Sequence, residues 1–390
     1  MSAPTLAATG RWSVTGPLPS PGAWAGQHDG PVVLEGGKVL VAGGADGTGA
    51  ALDRAALYDP ATKKWAATGA LATGRRLHTV TLLDTGKVLV AGGVGGAAAF
   101  PAPGLASAEL YNPTTGAWTP ARPMRTGRWG HSAVLVGGKV LVAGGTTTRS
   151  AQSVRALRSA ELYDPETGEW TEVGAMTDAR SGHPAVVLQD GRVLVVGGTA
   201  PVARDVDAAL AFCELYNPTS KDWTPTGDLR APRSRHRATV LNGGREVLVT
   251  GGSAPGAGDD GTFDPVSRAG AELYRQSTGG WTAVNDMPGG RCLHRAVPLG
   301  TGQALVVGGT DDPRHDAGYQ SAIIFDAATG RWLPAGGLAT GRWAFAAVPL
   351  SASTVLVAGG VVRSGVAAAD PAVEELTASA EVFDAAGGTS

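Results

Sequence analysis

Apolar residues in this chain come in short runs that end on a pair of glycines. Residues 87–93 read KVLVAGG and residues 192–198 read RVLVVGG. Runs of that length, apolar at nearly every position, predict strands buried on both faces rather than half-exposed ones. A glycine pair closes such a run seven times: Gly43-Gly44, Gly92-Gly93, Gly144-Gly145, Gly197-Gly198, Gly251-Gly252, Gly308-Gly309 and Gly359-Gly360. Successive spacings are 49, 52, 53, 54, 57 and 51 residues. After each pair come a loop and another strand, which carries Tyr58, Tyr111, Tyr163, Tyr216, Tyr274, Phe325 or Phe383. In the first six units a tryptophan follows seven residues later: Trp65, Trp118, Trp170, Trp223, Trp281 and Trp332. A recurrence of this length predicts one supersecondary unit, repeated because it cannot bury its faces alone.

Each unit reads as four antiparallel strands. In the second, HTVTLL is the first strand, KVLVAGG the second, AELY the third and the Trp118 segment the fourth. The order of glycine pair, aromatic and tryptophan at about fifty-residue spacing resembles bacterial kelch repeats, and does so over essentially the whole chain. It is also distantly similar to the kelch domain of galactose-oxidase-like proteins. The resemblance implies an all-β fold, a seven-bladed β-propeller. The seventh unit lacks its tryptophan, and the sequence supplies it elsewhere: Ala8-Thr9-Gly10-Arg11-Trp12 repeats Ala328-Thr329-Gly330-Arg331-Trp332. The ring is therefore expected to close by its N-terminal strand completing the C-terminal blade, which removes the open sheet edges. The expected blades cover about 25–72, 75–122, 128–175, 180–227, 233–286, 291–337 and 342–390, with 1–20 completing the last.

Composition narrows the partners. A formal net charge of -2 over 390 residues gives no basic field for nucleic acid, and no cluster of Lys/Arg suits an anionic membrane. No apolar run is long enough to span a bilayer, and no signal peptide is visible, so a monomeric cytoplasmic protein is the expectation. Two cysteines, Cys213 and Cys292, are too few for a disulfide framework and fall in different blades, so no bond between them is expected.

Six of the seven histidines share one repeat position, opening the first strand of a blade: His28, His78, His131, His183, His236 and His294. Phe345 holds that position in the last blade. Five are preceded by arginine in an Arg-x-x-His pattern, at Arg75, Arg128, Arg180, Arg233 and Arg291, and Arg342 leads into Phe345. Ala25 stands before His28 in the corresponding place. The residue after each arginine varies: Arg76, Trp129, Ser181, Ser234, Cys292 and Trp343, with Gly26 in the first blade. Of ten tryptophans, only Trp24, Trp129 and Trp343 are not the repeat tryptophan, and all three fall beside this position. A kelch resemblance implies that this face surrounds the axial channel and carries the binding site. The expected ligand-binding set is Trp24, Trp129, Trp343, Arg76, Ser181, Ser234, Cys292 and Phe345. Cys292 is the one candidate nucleophile.

Two functions fit these residues. One is a small-molecule site at the axial face, within whose range falls an enzyme using copper or iron held by the six histidines, because imidazoles converging from neighbouring blades suit such metals. The tyrosyl-radical oxidase chemistry of the galactose-oxidase-like proteins is excluded by motif. Their Arg-x-Tyr-His pattern has no tyrosine here, where Gln27, Leu77, Gly130, Gly182, Arg235 and Leu293 stand before the histidines. The other function is a protein-interaction scaffold, in which loops 94–107, 146–159, 199–212, 253–270 and 361–379 bind a peptide. Packing is the competing role for the histidines, since repetition alone explains identical residues.

Overall fold

Strands 2 of the repeats, Val39–Ala42, Val88–Ala91, Lys139–Ala143, Val193–Val196, Glu246–Thr250, Gln303–Val307 and Thr354–Ala358, are buried almost throughout, as their unbroken apolar runs require. The computed structural model describes residues 10–23, 30–97, 103–150, 153–203, 206–254, 267–312, 314 and 316–388. Its strands form seven four-stranded antiparallel sheets, and no helix among the described residues is long and apolar enough to cross a membrane. Blade 2 is typical: Thr79–Leu82, Val88–Ala91, Ala108–Asn112 and Ala117–Ala121 pair in sequence order. First strands of successive sheets touch one another from blade 1 to blade 7, which places them innermost around a common axis.

The last blade is completed from the other end of the chain. Ala346–Pro349, Thr354–Ala358 and Ala380–Asp384 are joined by Arg11–Thr15, in register Arg11↔Asp384 to Thr15↔Ala380. Trp12 meets Phe383 at 5.1 Å between ring centroids and 47°, the geometry of Tyr111 and Trp118 at 5.0 Å and 47°. Its indole Nε1 donates to Ala335 O of blade 6 at 2.8 Å, as Trp118 Nε1 donates to Gly69 O of blade 1 at 2.8 Å. Each repeat tryptophan thus packs inside one blade, and all but Trp65, whose indole N–H has no partner among the described residues, clasp the blade before it.

Three of the segments expected as loops contain a hairpin: Thr146–Ser150 with Ser153–Ala156, Thr199–Ala203 with Val206–Ala209, and Val361–Arg363 with Glu375–Leu376. The glycine pairs have a steric cause. A Cβ on Gly92 would lie 2.6 Å from Cε1 of His131 in the next blade, and one on Gly93 would lie 2.8 Å from the Cβ of His78 in its own blade. Both glycines also have positive φ, at 64° and 96°. The pair exists so that two blades can close on a histidine.

Candidate axial-face site

That packing decides what the histidines do. His78, His131, His183, His236 and His294 are fully buried, each ring lying between the glycine pair of the preceding blade and its own. Four of them use Nε2 for structural bonds: to Ala42 O at 3.1 Å, Thr79 Oγ1 at 3.1 Å, Ser132 Oγ at 3.0 Å and Thr250 Oγ1 at 2.8 Å, respectively for His78, His131, His183 and His294. Burial, reinforced by the adjacent arginines, pushes the His78 imidazole down to about 3 and the other four well below the usual histidine range. Phe345 fills the same place in blade 7, so the position asks for a flat ring and not for a donor. Copper or iron does not fit these imidazoles, and no three His, Cys, Asp or Glu side chains gather to hold a metal among the described residues. The expectation of a metal-binding ring is corrected to one of blade packing; His28 lies outside the described residues.

The arginines are equally internal. In blade 2, Arg75 Nη1 donates to Gly92 O at 2.8 Å and Ser107 O at 3.1 Å, and Nη2 meets Glu109 Oε1 at 2.8 Å. The other carboxylate oxygen accepts from Ala72 N at 2.8 Å. The same latch recurs as Arg128–Glu161, Arg180–Glu214, Arg233–Glu272 and Arg342–Glu381, at 2.7–2.9 Å with both partners buried. It ties strands of one blade to the linker entering it, rather than one blade to the next. Sequence reading missed these glutamates. Their signal is a charge in the second place of Ala-Glu-Leu-Tyr, Cys-Glu-Leu-Tyr or Ala-Glu-Val-Phe, within an otherwise apolar strand.

The expected ligand set divides by burial. Trp343, Cys292, Phe345 and Ser234 are 0–2% exposed, so they are core and not rim. Trp343 and Cys292 pack with Ala23, Leu293, Ala344 and Val361. Burial pushes the Cys292 thiol up to about 12, and His294 Nε2 is engaged by Thr250, so no activated thiolate forms there. Both cysteines are free and buried. Trp129, Arg76 and Ser181 are half-buried, and Trp24 lies outside the described residues. In blade 1 the register also shifts: Gly360 N donates to Gly22 O at 2.9 Å just as Gly309 N donates to Arg342 O at 2.9 Å. Gly22, not Ala25, therefore takes the arginine place, and Ala23, bridged to Ala45, takes the next.

Among the described residues, one cleft at the axial face, of about 430 Å³, is lined by Arg76, Leu77, Arg235, Leu293, Glu374 and residues 47–49. Five blades contribute to it, which only the neighbourhood of the axis allows. Its floor is a backbone collar of the residues just before each histidine or Phe345. Gly130 N donates to Leu77 O at 3.1 Å, Gly182 N to Gly130 O at 2.8 Å, Leu293 N to Arg235 O at 3.3 Å and Ala344 N to Leu293 O at 3.1 Å. The collar holds Leu77, Arg235, Leu293 and Ala344 at φ of 50–55°, a left-handed conformation costly for side-chain-bearing residues. Arg235 is exposed and its guanidinium has no ionic or hydrogen-bonding partner among the described residues. Burial lowers the Arg76 guanidinium, the nearby Glu374 carboxylate raises it, and its Nε is unpaired. Among the described lining residues, two guanidinium groups stand against one carboxylate, a positive balance.

A ring of seven four-stranded blades with buried Arg–Glu latches and clasping tryptophans defines a repeat β-propeller. The chain belongs to the kelch-repeat family: the KLHDC2/KLHL20/DRC7 Kelch-repeats domain matches residues 130–360 and the Kelch motif matches residues 75–125. Kelch-like protein terF of Aspergillus terreus is 29% identical over 232 residues, covering 58% of this chain and 48% of that protein. Human Kelch-like protein 34 is 29% identical over 207 residues, covering 52% of this chain and 29% of that protein. The chain thus matches about half or less of the length of these relatives. Among solved structures, a fungal alcohol oxidase of the AA5 family in complex with copper superposes with a TM-score of 0.71 at 18% identity, covering 96% of this chain and 76% of the oxidase. YjhT superposes at 0.56 and 16% identity, covering 77% and 93%. At those identities the likeness concerns the fold alone.

Proposed function

We propose that this kelch propeller is a protein-recognition module whose axial cleft takes an acidic segment of a partner protein. The observation that carries this reading is Arg235: an exposed guanidinium without an ionic partner among the described residues, held over the axis on a left-handed backbone and sharing one cleft with Arg76. Guanidinium groups bind carboxylates through paired, charge-assisted hydrogen bonds, and arginine clusters are a recurring way of reading acidic motifs. Leu77 and Leu293 supply apolar contact beside them. Among the described residues the histidines are buried and the Cys292 thiol is pushed up, which favours binding over catalysis at this mouth.

The test is a displayed peptide library panned against the intact chain, followed by fluorescence polarisation on selected peptides. Acidic peptides should be enriched, their affinity should fall as salt rises, and Arg235→Ala should weaken binding about ten- to hundredfold without lowering the melting temperature. Recovery of neutral peptides, or binding indifferent to both Arg235→Ala and Arg76→Ala, would overturn the reading. Capture of small carboxylates in place of acidic peptides would leave the cleft's charge role standing and remove the protein partner.

A further inference from the structure

Blade 1 has lost the whole latch, and the space it occupied elsewhere has not been refilled. Gly22 stands in the arginine place and Ala56, opposite Val41 as Glu109 is opposite Val90, stands in the glutamate place. The linker donor three residues before the arginine is Ala72, Arg125, Thr177, Arg230 or Ala339 where the glutamate is present. In blade 1 that residue is Pro19, which has no N–H to offer. Donor, acid and base have gone together, so no buried group of the triad is left stranded.

Blade 6 shows the alternative. There too the donor is a proline, Pro288, but the glutamate is replaced by Ile323, which packs against Met287 and Val306 and fills the space. Blade 1 instead keeps an apolar cavity of about 150 Å³, walled by Leu18, Gly22, Gly43, Arg54, Ala56 and Ala346. Besides Ser20, Arg54 and Thr68 in its lining, it has two carbonyls that the latch would have used. In blade 2 the counterparts Gly92 O and Ser107 O both hold Arg75 Nη1. In blade 1, Arg54 O retains only the bond from Gly43 N at 2.8 Å, and no hydrogen bond reaches Gly43 O from the described residues. An apolar cavity of this size accepts a single aromatic ring, and a half-buried carbonyl without a protein donor can take one from a ligand in the cavity.

We propose that blade 1 carries a binding site for a small uncharged ring compound bearing one O–H or N–H donor, a ligand the size of phenol. The ring takes the volume vacated by the Arg–Glu side chains, and its donor meets Gly43 O. With Ala56 in place of the glutamate, nothing there compensates a positive charge, so a guanidinium or ammonium ligand is disfavoured. This site is separate from the axial cleft and shares no lining residue with it.

Thermal shift and isothermal titration with phenol, using the full chain, test the site. Phenol should raise the melting temperature and bind about five- to tenfold more tightly than benzene, the margin of one hydrogen bond. Ala56→Ile, which installs the residue that blade 6 uses, should fold and should abolish the phenol response. Crystals of the unmodified protein soaked in 4-iodophenol give an answer that does not depend on how the variant folds: an anomalous peak between Gly22 and Ala56 is expected. No binding at millimolar phenol, a phenol response unchanged by Ala56→Ile, or only ordered water in the cavity of the soaked crystal would overturn the site. Benzene binding as tightly as phenol would overturn the role of Gly43 O.

Discussion

Removing Glu214 should cost far more than removing Glu214 and Arg180 together. In the folded protein Arg180 Nη2 lies 2.9 Å from Glu214 Oε1, with side-chain exposures of 0% and 3%. Glu214→Ala leaves that guanidinium buried with only the carbonyls of Gly197 and Phe212, and it takes the acceptor from Thr177 N. Breaking a buried pair from one side costs about 3–5 kcal/mol, whereas exchanging both partners for apolar residues of similar volume is often close to neutral. Arg180→Met with Glu214→Leu still strands Thr177 N and Gly197 O, while Phe212 O keeps the bond from Gly197 N, a penalty of about 1–3 kcal/mol. The double variant should therefore be the more stable by about 2 kcal/mol. Blade 6 provides a control made by the sequence itself. Arg291 is buried without a carboxylate, held by Gly308 O at 3.1 Å, by Ser321 and by the Tyr319 ring at 5.7 Å, and burial lowers its guanidinium to about 10. Arg291→Met strands no acid, so it should be milder than Arg180→Met, again by about 2 kcal/mol. Urea unfolding followed by both tryptophan fluorescence and circular dichroism measures all four variants and checks that the transition is cooperative. A double variant no more stable than Glu214→Ala, or equal losses at Arg180 and Arg291, would refute the latch as the source of stability.

The buried histidines make stability fall in acid. His78 has a folded value of about 3 against an ordinary 6.5, so the unfolded chain binds the extra proton between those limits. Stability is then complete above about pH 6.5 and lost as pH drops toward 3, by up to about 1.4 kcal/mol per pH unit for each such histidine. His78→Phe, copying Phe345, should flatten that slope in urea titrations at pH 4–7, and an unchanged slope would show that the ring is not buried neutral. Trp12→Ala should lower stability by about 3–5 kcal/mol through loss of the Phe383 contact and the bond to Ala335 O. A melting temperature unmoved by that change would remove Trp12 from the closure.

The fold was legible because repetition makes each unit a check on the others. Six units with a tryptophan and one without, set beside Ala8–Trp12, specify where the seventh must come from. The site was less legible, for a reason visible at single residues. Trp129 and Trp343 occupy the same repeat position, yet one is half-buried and the other fully buried, because Cys292, Leu293 and Ala23 close over Trp343. Spacing cannot report what a neighbouring blade lays on a side chain. Arg75 and Glu109 are 34 residues apart in sequence, and no local period links them. In blade 1, counting back from His28 points to Ala25 for the arginine place, whereas the hydrogen bonds put Gly22 there. Only the pairing partners fix where extra residues lodge.

The pairing of Arg11–Thr15 with Ala380–Asp384 has a consequence for how the protein is made. Ser13 and Val382, in contact in the finished ring, stand 369 positions apart, so the first strand waits for a partner translated that much later. Blades 1 to 6 draw their four strands from contiguous stretches and form behind it in order. Closing so long a loop adds little entropy beyond a shorter one, because the penalty grows only with the logarithm of length. The delay is what matters. During it the early strand is a free donor and the last blade a free acceptor, and two nascent chains on one messenger can exchange them, giving a swapped pair with every native contact intact.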